Sequence, residues 1–382
     1  MIGLLRPTWF EIDLDAAVEN LRTVRRLVGP ARKIFAVVKA DGYGFGSLEM
    51  GRAFAENGAD ALGVADLADG IRLRHAGLTL PILVYPNALP DAAGALLAAG
   101  LTPTLTDFDA ARAYDDATGP SGHGPPTDVF VKVDVGLERL GVPADEAVKL
   151  VLAIRELPRL RLAGLATHLH VPPNADPAYV RWQFARFTAV LAALAAQGVT
   201  VPVRLAASSP LVLGYPDTYL NAVDPGRMLY GMNRDDATVA GTLRPAFHAL
   251  KSRLVEVKEL TPRERFADAA PFPIARGMRL GVIPIGMGDG FHRLNAGRVL
   301  VRGRRVPILA RPSLEHTRVD LTTVPDAAVG DEVVLIGTQG GEAITPDEVA
   351  KQNGLDPLIL ALTIGPRVAR VYLRSGRDPT AS

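Results

Sequence analysis

Between residues 13 and 235, short apolar runs alternate with segments of helical period, and this alternation restricts the fold more than any other feature of the chain. The helix-period segments are residues 15–27, 47–57, 91–99, 145–156 and 178–196. The apolar runs are residues 34–38, 61–64, 82–84, 129–133, 162–167 and 203–205. Repeated strand-then-helix units of this length predict a parallel sheet with crossover helices. Residues 101–104 and 228–231 are two weaker strand candidates that complete a set large enough to close a (β/α)8 barrel. An open doubly wound sheet is the alternative. No Gly-x-Gly-x-x-Gly follows the first run, which argues against its dinucleotide-binding version. Past about residue 240 the runs become short, β-rich and broken by Gly, Pro and Asp (252–260, 280–285, 299–302, 306–310 and 332–336), as in an antiparallel β domain.

Composition narrows the function classes. With 42 basic and 41 acidic residues among 382, the formal charge is +1, which does not point to a nucleic acid or polyanionic partner. The absence of cysteine excludes disulfides, thiolate catalysis and thiolate metal sites. The first fourteen residues carry Glu11 and Asp13 and no long apolar core, unlike a secretory signal, and the alanine-rich stretch 189–196 is too short for a membrane span. A cytoplasmic enzyme is the expectation.

The chemistry concentrates in Phe35-Ala-Val-Val-Lys-Ala-Asp-Gly-Tyr-Gly-Phe-Gly46. A buried strand does not readily continue through a charge, so Lys39 is expected at the strand's mouth. A desolvated amine there has a lowered pKa and suits Schiff-base chemistry. Barrels place functional groups at the C-terminal ends of strands, where several more candidates fall. Lys132 and Arg139 lie in Val131-Lys-Val-Asp-Val-Gly-Leu-Glu-Arg-Leu-Gly141. His168 and His170 close another run, Ser208 follows Leu205-Ala-Ala, and Asp224 to Arg227 precede residues 228–230. Singly, each has a plainer role as a strand cap, a core histidine or a helix cap. Their joint order and spacing need another explanation.

That order resembles the alanine racemase family. The resemblance continues through Ile283-Pro-Ile-Gly-Met-Gly-Asp-Gly290, Val306-Pro-Ile-Leu-Ala-Arg-Pro-Ser313, Val329-Gly-Asp-Glu-Val-Val-Leu-Ile-Gly337 and Gly365-Pro-Arg-Val-Ala-Arg370. It implies pyridoxal 5'-phosphate (PLP) as cofactor, a fold type III barrel over residues 13–240, and a β domain of residues 241–382 joined by residues 1–12. It also implies a homodimer with a shared active site. Lys39 would carry the cofactor. Tyr43, Ser208 and the backbone N–H groups of Gly226 and Arg227 would hold its phosphate, and His168 would lie beside its ring. Arg139 would contact the cofactor's phenolic oxygen and the substrate carboxylate. Lys132 occupies the place where the family often carries a carbamylated lysine orienting that arginine.

Four departures stand out. The family's second base, a tyrosine from the partner subunit, falls at Met287, which has no proton to exchange. The arginine that faces the pyridine nitrogen falls at Asp224, within Asp224-Pro-Gly-Arg227. This string is similar to the Glu-Pro-Gly-Arg of barrel-type basic amino-acid decarboxylases; the plainer reading pairs Asp224 with Arg227. A Met-Asp pair lining the substrate pocket falls at Leu314-Glu315, followed by His316. A Ser-Tyr-Gly element is replaced by Phe266-Ala-Asp-Ala-Ala-Pro-Phe272. Three readings result. One is an amino-acid racemase whose substitute base is His292, His316 or Glu315. The second is a PLP-dependent lyase, aldolase, transaldolase or decarboxylase using an Asp224-stabilised pyridinium. The third is a non-catalytic PLP carrier, against which Arg139 and the β domain count.

Overall fold

The computed structural model describes residues 5–118, 125–232, 243–262, 269–295 and 297–375. Eight parallel strands close on themselves: Lys33–Val37, Ala61–Val64, Ile82–Val84, Thr102–Leu105, Thr127–Asp134, Leu160–Ala166, Val203–Ala207 and Ala222–Val223. The last strand pairs on one side with Val203–Ala207. On the other it pairs with the first, Ala222 opposite Lys33 and Val223 opposite Ile34, so the sheet is a barrel and the open alternative is excluded.

The inner and outer faces of these strands have different work to do. A separate buried cluster of Phe35, Ala61, Leu83, Phe130, Ala166, Val203, Leu205 and Ala222 fills the barrel. The Phe35 and Phe130 rings meet edge-on, 5.9 Å between centroids, and small residues around them make room. Outside, helices cover the sheet. Leu14–Val28 buries Ala17, Leu21, Val24 and Val28 and is capped by Asp13, whose carboxylate accepts from the Ala16 N–H at 2.8 Å. Two helices absent from the sequence reading, Leu67–His75 and Phe108–Ala117, are capped in the same way by Asp66 and Asp107. The period of Leu67–His75 is weak because its buried face consists of Asp69, Gly70 and Leu73, with Leu73 the one large buried side chain.

One strand expectation is corrected. Residues 228–231 do not form the eighth strand. Arg227–Tyr230 is a 3-10 turn burying Met228, Leu229 and Tyr230, and the strand is the two-residue Ala222–Val223 upstream. A short apolar run bounded by Gly and Pro does not by itself distinguish a buried turn from a buried strand. The correction moves Asp224 to Arg227 from before a strand to just after one, at the barrel mouth.

The second sheet is mostly antiparallel, ten-stranded among the described residues. Thr8–Asp13 belongs to it, antiparallel to Phe247–Arg253 and parallel to Ala369–Leu373, before the chain enters the barrel. This sheet also braces the barrel mouth. The Tyr372 hydroxyl donates to the Phe45 carbonyl at 3.0 Å, and Gly44 lies so close to the helix Pro357–Thr363 that a Cβ would sit 2.4 Å from the Ala361 carbonyl. Residues 266–268 of the Phe266–Phe272 departure lie outside the described residues. No described helix is long and apolar enough to cross a membrane.

The paired rings inside the barrel give a direct stability expectation. Phe130→Ala should destabilise the protein by roughly 3–5 kcal/mol, as large-to-small core changes of phenylalanine do, read as a lowered thermal unfolding midpoint.

Candidate active site

Side chains on a strand alternate between its faces, so the residue two places beyond an interior one faces inward again. Leu83 leads to Tyr85, Phe130 to Lys132, Ala166 to His168, Ala222 to Asp224, and Phe35 through Val37 to Lys39. Tyr85, Lys132, His168, Asp224 and Lys39 line one cavity of about 580 Å³ at the barrel mouth, together with Tyr43, Arg139, Ser208, Ser209, Gly226 and Arg227. A cleft of about 630 Å³ elsewhere is bordered by Asp13, Glu19 and Arg244, whose charges pair with one another at 2.7–2.9 Å.

Lys39 reaches the cavity through an uncommon backbone. Ala40, Asp41, Gly42 and Tyr43 all have φ between 50° and 61°, a left-handed turn containing three residues with a Cβ. Such a conformation costs roughly 1–2 kcal/mol per residue. Hydrogen bonds oppose that cost: the Gly42 N–H donates to the Val38 carbonyl at 2.9 Å, the Gly46 N–H to the Asp41 carbonyl at 2.8 Å, and the Ser47 N–H to the Asp41 carboxylate at 3.0 Å. The turn leaves Lys39 Nζ 5.8 Å from the Tyr85 ring centre and 6.0 Å from that of Tyr43. Burial lowers the Lys39 pKa, against the pull of Asp224, and Arg139 lowers it further.

At the other end of the cavity, Tyr43 Oη sits where Gly226 has no side chain; a Cβ at 226 would lie 2.3 Å from it. Ser208 is buried beside them. The Gly226 N–H does not stand free as expected, because it donates to Ser209 Oγ at 2.9 Å, which also accepts from the Met228 N–H at 3.3 Å. Ser209 was not singled out from sequence. The Arg227 guanidinium pairs with Asp356 at 2.9 Å, so the pairing of Asp224 with Arg227 is not found.

Asp224 has a different partner. Its Oδ2 accepts from the Tyr85 hydroxyl at 3.0 Å, while its Oδ1 is buried with no hydrogen-bond partner. Burial pushes this carboxyl up; Lys132, the Tyr85 hydroxyl and Lys39 oppose that. Lys132 is buried too, and desolvation brings its pKa down to about 8. Tyr85 was missed in the sequence, although it stands two residues past an interior leucine. Arg139 is exposed at the mouth, on a loop gathered by Asp134, whose carboxylate accepts from the N–H groups of Gly136, Leu137, Glu138 and Arg139 at 2.9–3.2 Å.

Met287, Leu314 and Glu315 do not line this cavity within the single chain. They adjoin each other on the second sheet's side. The Met287 N–H donates to the Ser313 carbonyl at 2.8 Å, and the Gly288 N–H donates to the Leu314 carbonyl at 3.0 Å. Met287 and Leu314 are exposed, and Glu315 pairs with Arg367 at 2.8 Å. His292 and His316 are exposed as well.

Two family models match in tandem: alanine racemase, N-terminal domain, over residues 12–234, and alanine racemase, C-terminal domain, over residues 247–372. The chain belongs to the alanine racemase family. The alanine racemase of Desulfovibrio desulfuricans is 36% identical over 376 residues, 98% of this chain and 100% of the relative. That of Methanococcus maripaludis is 33% identical over 371 residues, 96% of this chain and 99% of the relative. Among solved structures, alanine racemase of Clostridium difficile superposes with a TM-score of 0.88 at 28% identity, covering 98% of each chain. The enzyme from E. faecalis gives 0.87 at 30% identity, covering 98% of this chain and all of that one. The similarity runs through both sheets, and the family's activity is amino-acid isomerisation.

His168 supplies a pH expectation. Burial and the neighbouring Lys132, Lys39 and Arg139 charges bring its pKa from the usual 6.5 to about 3. Between those values the unfolded chain binds a proton that the native chain refuses. Its contribution is therefore intact above pH 6.5 and is lost as pH falls toward 3. Against His168→Gln, the native protein should lose stability more steeply over that window, as followed by urea midpoints.

Proposed function

We propose that the chain is a PLP-dependent amino-acid racemase acting on a free amino acid in the cytoplasm, as a homodimer whose partner completes the pocket. The observation carrying this reading is the meeting of a desolvated lysine amine, Lys39, with a small-residue and hydroxyl cradle at one barrel mouth. The cradle fits a phosphate: Gly226 leaves the space a Cβ would fill, and Tyr43 Oη and Ser208 border it. The buried, unpartnered Asp224 Oδ1 fits a ring N–H. Tyr43, Ser208 and the backbone near Arg227 would hold the phosphate, Asp224 and His168 would border the ring, and Lys39 would carry the cofactor. A solved Bacillus anthracis alanine racemase with bound L-Ala-P superposes with a TM-score of 0.86 at 27% identity.

The chemistry PLP supplies when bound is an electron sink that acidifies the Cα–H of an amino acid joined to its aldehyde. The protein's residues do the rest. The Arg139 guanidinium binds the substrate carboxylate, which sets the Cα–H relative to the lysine. Lys39 Nζ, neutral at lower pH than an exposed lysine, takes the Cα proton from one face. His168 stays neutral at ordinary pH, so it adds no positive charge beside Lys39 and Lys132. The turn holding Met287, Leu314 and Glu315 would form the other pocket wall in the partner. Met287 moves no proton, so inversion draws on water or a neighbouring group there, such as His316. The lyase, aldolase, decarboxylase and carrier readings find no support in the relatives.

Purified protein given PLP should absorb in the visible, and Lys39→Ala should lose covalent attachment. In deuterated water both L- and D-alanine should gain deuterium at Cα, and each should yield the other enantiomer. Met287→Tyr should raise that inversion, toward the about 100-fold that one positioned proton donor supplies. A chain that does not take up PLP, or exchange without inversion, would overturn the reading.

A further inference from the structure

Tyr85 lies beyond the sequence motifs, yet it makes a hydrogen bond to the most unusual charge in the cavity. It is half-buried in the cavity wall, packed against the cluster inside the barrel. Its hydroxyl donates to Asp224 Oδ2 at 3.0 Å, and burial and the Asp224 charge raise its own pKa well above 10, so it keeps its proton. Asp224 is 6% exposed. Its two oxygens are therefore unequal: Oδ2 has a donor and Oδ1 has none. A buried carboxylate oxygen without a partner is costly, and native proteins rarely keep one unless a bound group satisfies it. The basic side chains nearby do not. Lys132 and Lys39 attract Asp224 at a distance, and Arg227 is committed to Asp356.

The geometry points to Tyr85 as a positioning residue that fixes the Asp224 carboxylate by one oxygen and presents the other to a protonated ring nitrogen of the cofactor. This rests on the proposed PLP site and deepens it. A hydroxyl donating to a carboxylate stabilises the charged form. The shared proton then stays on the ring nitrogen and does not move to Oδ1, giving a carboxylate–pyridinium pair. The strand supplies the placement: Tyr85 follows Ile82–Val84, Asp224 follows Ala222–Val223, and both face inward across the barrel. The tyrosine adds rigidity as well as charge stabilisation, since its ring is packed and its hydroxyl fixes one carboxylate rotamer. A ring held protonated is a stronger electron sink, an effect acting where negative charge develops.

The test uses the full chain loaded with PLP that is isotope-labelled at its ring nitrogen, read by nitrogen NMR across pH. Attachment at Lys39 is checked separately by borohydride reduction and mass. The native protein should show a protonated ring nitrogen at neutral pH, and Asp224→Asn an unprotonated one. Tyr85→Phe should keep the cofactor attached while its ring-nitrogen protonation midpoint falls by about one to two pH units, the worth of one hydrogen bond to a charge. Tyr85→His, which retains a donor, should restore much of that loss. An unchanged midpoint in Tyr85→Phe, or a ring nitrogen still protonated in Asp224→Asn should the Phe variant not fold, would overturn the role of Tyr85. An unprotonated ring in the native protein would overturn the whole inference while leaving the PLP site intact. Failure to attach PLP at all would overturn the proposed function, and this inference with it.

Discussion

Barrel closure runs through two residues, and the cavity exists because of it. Ala222 and Val223 bridge the first and seventh barrel strands, helped by backbone bonds just outside the paired region: Lys33 N–H to the Asn221 carbonyl at 3.0 Å, Asp224 N–H to the Ala207 carbonyl at 3.0 Å, and Val37 N–H to the Pro225 carbonyl at 3.2 Å. A strand this short has little pairing energy of its own. Its neighbours on both sides and the buried Met228-Leu-Tyr230 turn hold it in place. With the gap closed, Asp224 and Gly226 stand beside Lys39 and Tyr43, which are separated from them by over 180 residues of chain.

The cavity's electrostatics follow from the same enclosure. Two lysines, a histidine and an aspartate at the ends of four barrel strands project into one cavity, buried or half-buried. Desolvation is the first cause of the displacement of all four pKa values. Arg139 further depresses both lysines, Lys39 also depresses Lys132, all three depress His168, and Asp224 offsets the effect at the two lysines. The Tyr85 bond therefore matters beyond its own energy, since it orients that counter-charge. The strained turn at residues 40–43 is tolerated for a related reason. Internal hydrogen bonds and the second sheet's Tyr372 and Ala361 confine it from both sides, which is how a stiff, uncommon backbone persists at a site.

The sequence by itself determined a good deal. Strand-then-helix alternation is a local property of chain stiffness and apolar spacing, so the barrel was legible, and two strands, 61–64 and 82–84, matched to the residue. Lys39, Tyr43, Lys132, Arg139, His168 and Ser208 could be named because each ends a strand or follows one, Asp224, Gly226 and Arg227 through the family resemblance, and the structure gathers all of them on one cavity. Only the tertiary structure decided the rest. The 228–231 run became a turn because burial, not local preference, chose its backbone. Tyr85 gained its meaning from Asp224 across the barrel, Gly226 gave its N–H to Ser209, and Arg227 turned to Asp356 and away from Asp224. Each of these contacts joins groups far apart in the chain or chooses among several donors within reach. Local spacing carries no record of either, because it is the enclosing fold that sets the distances.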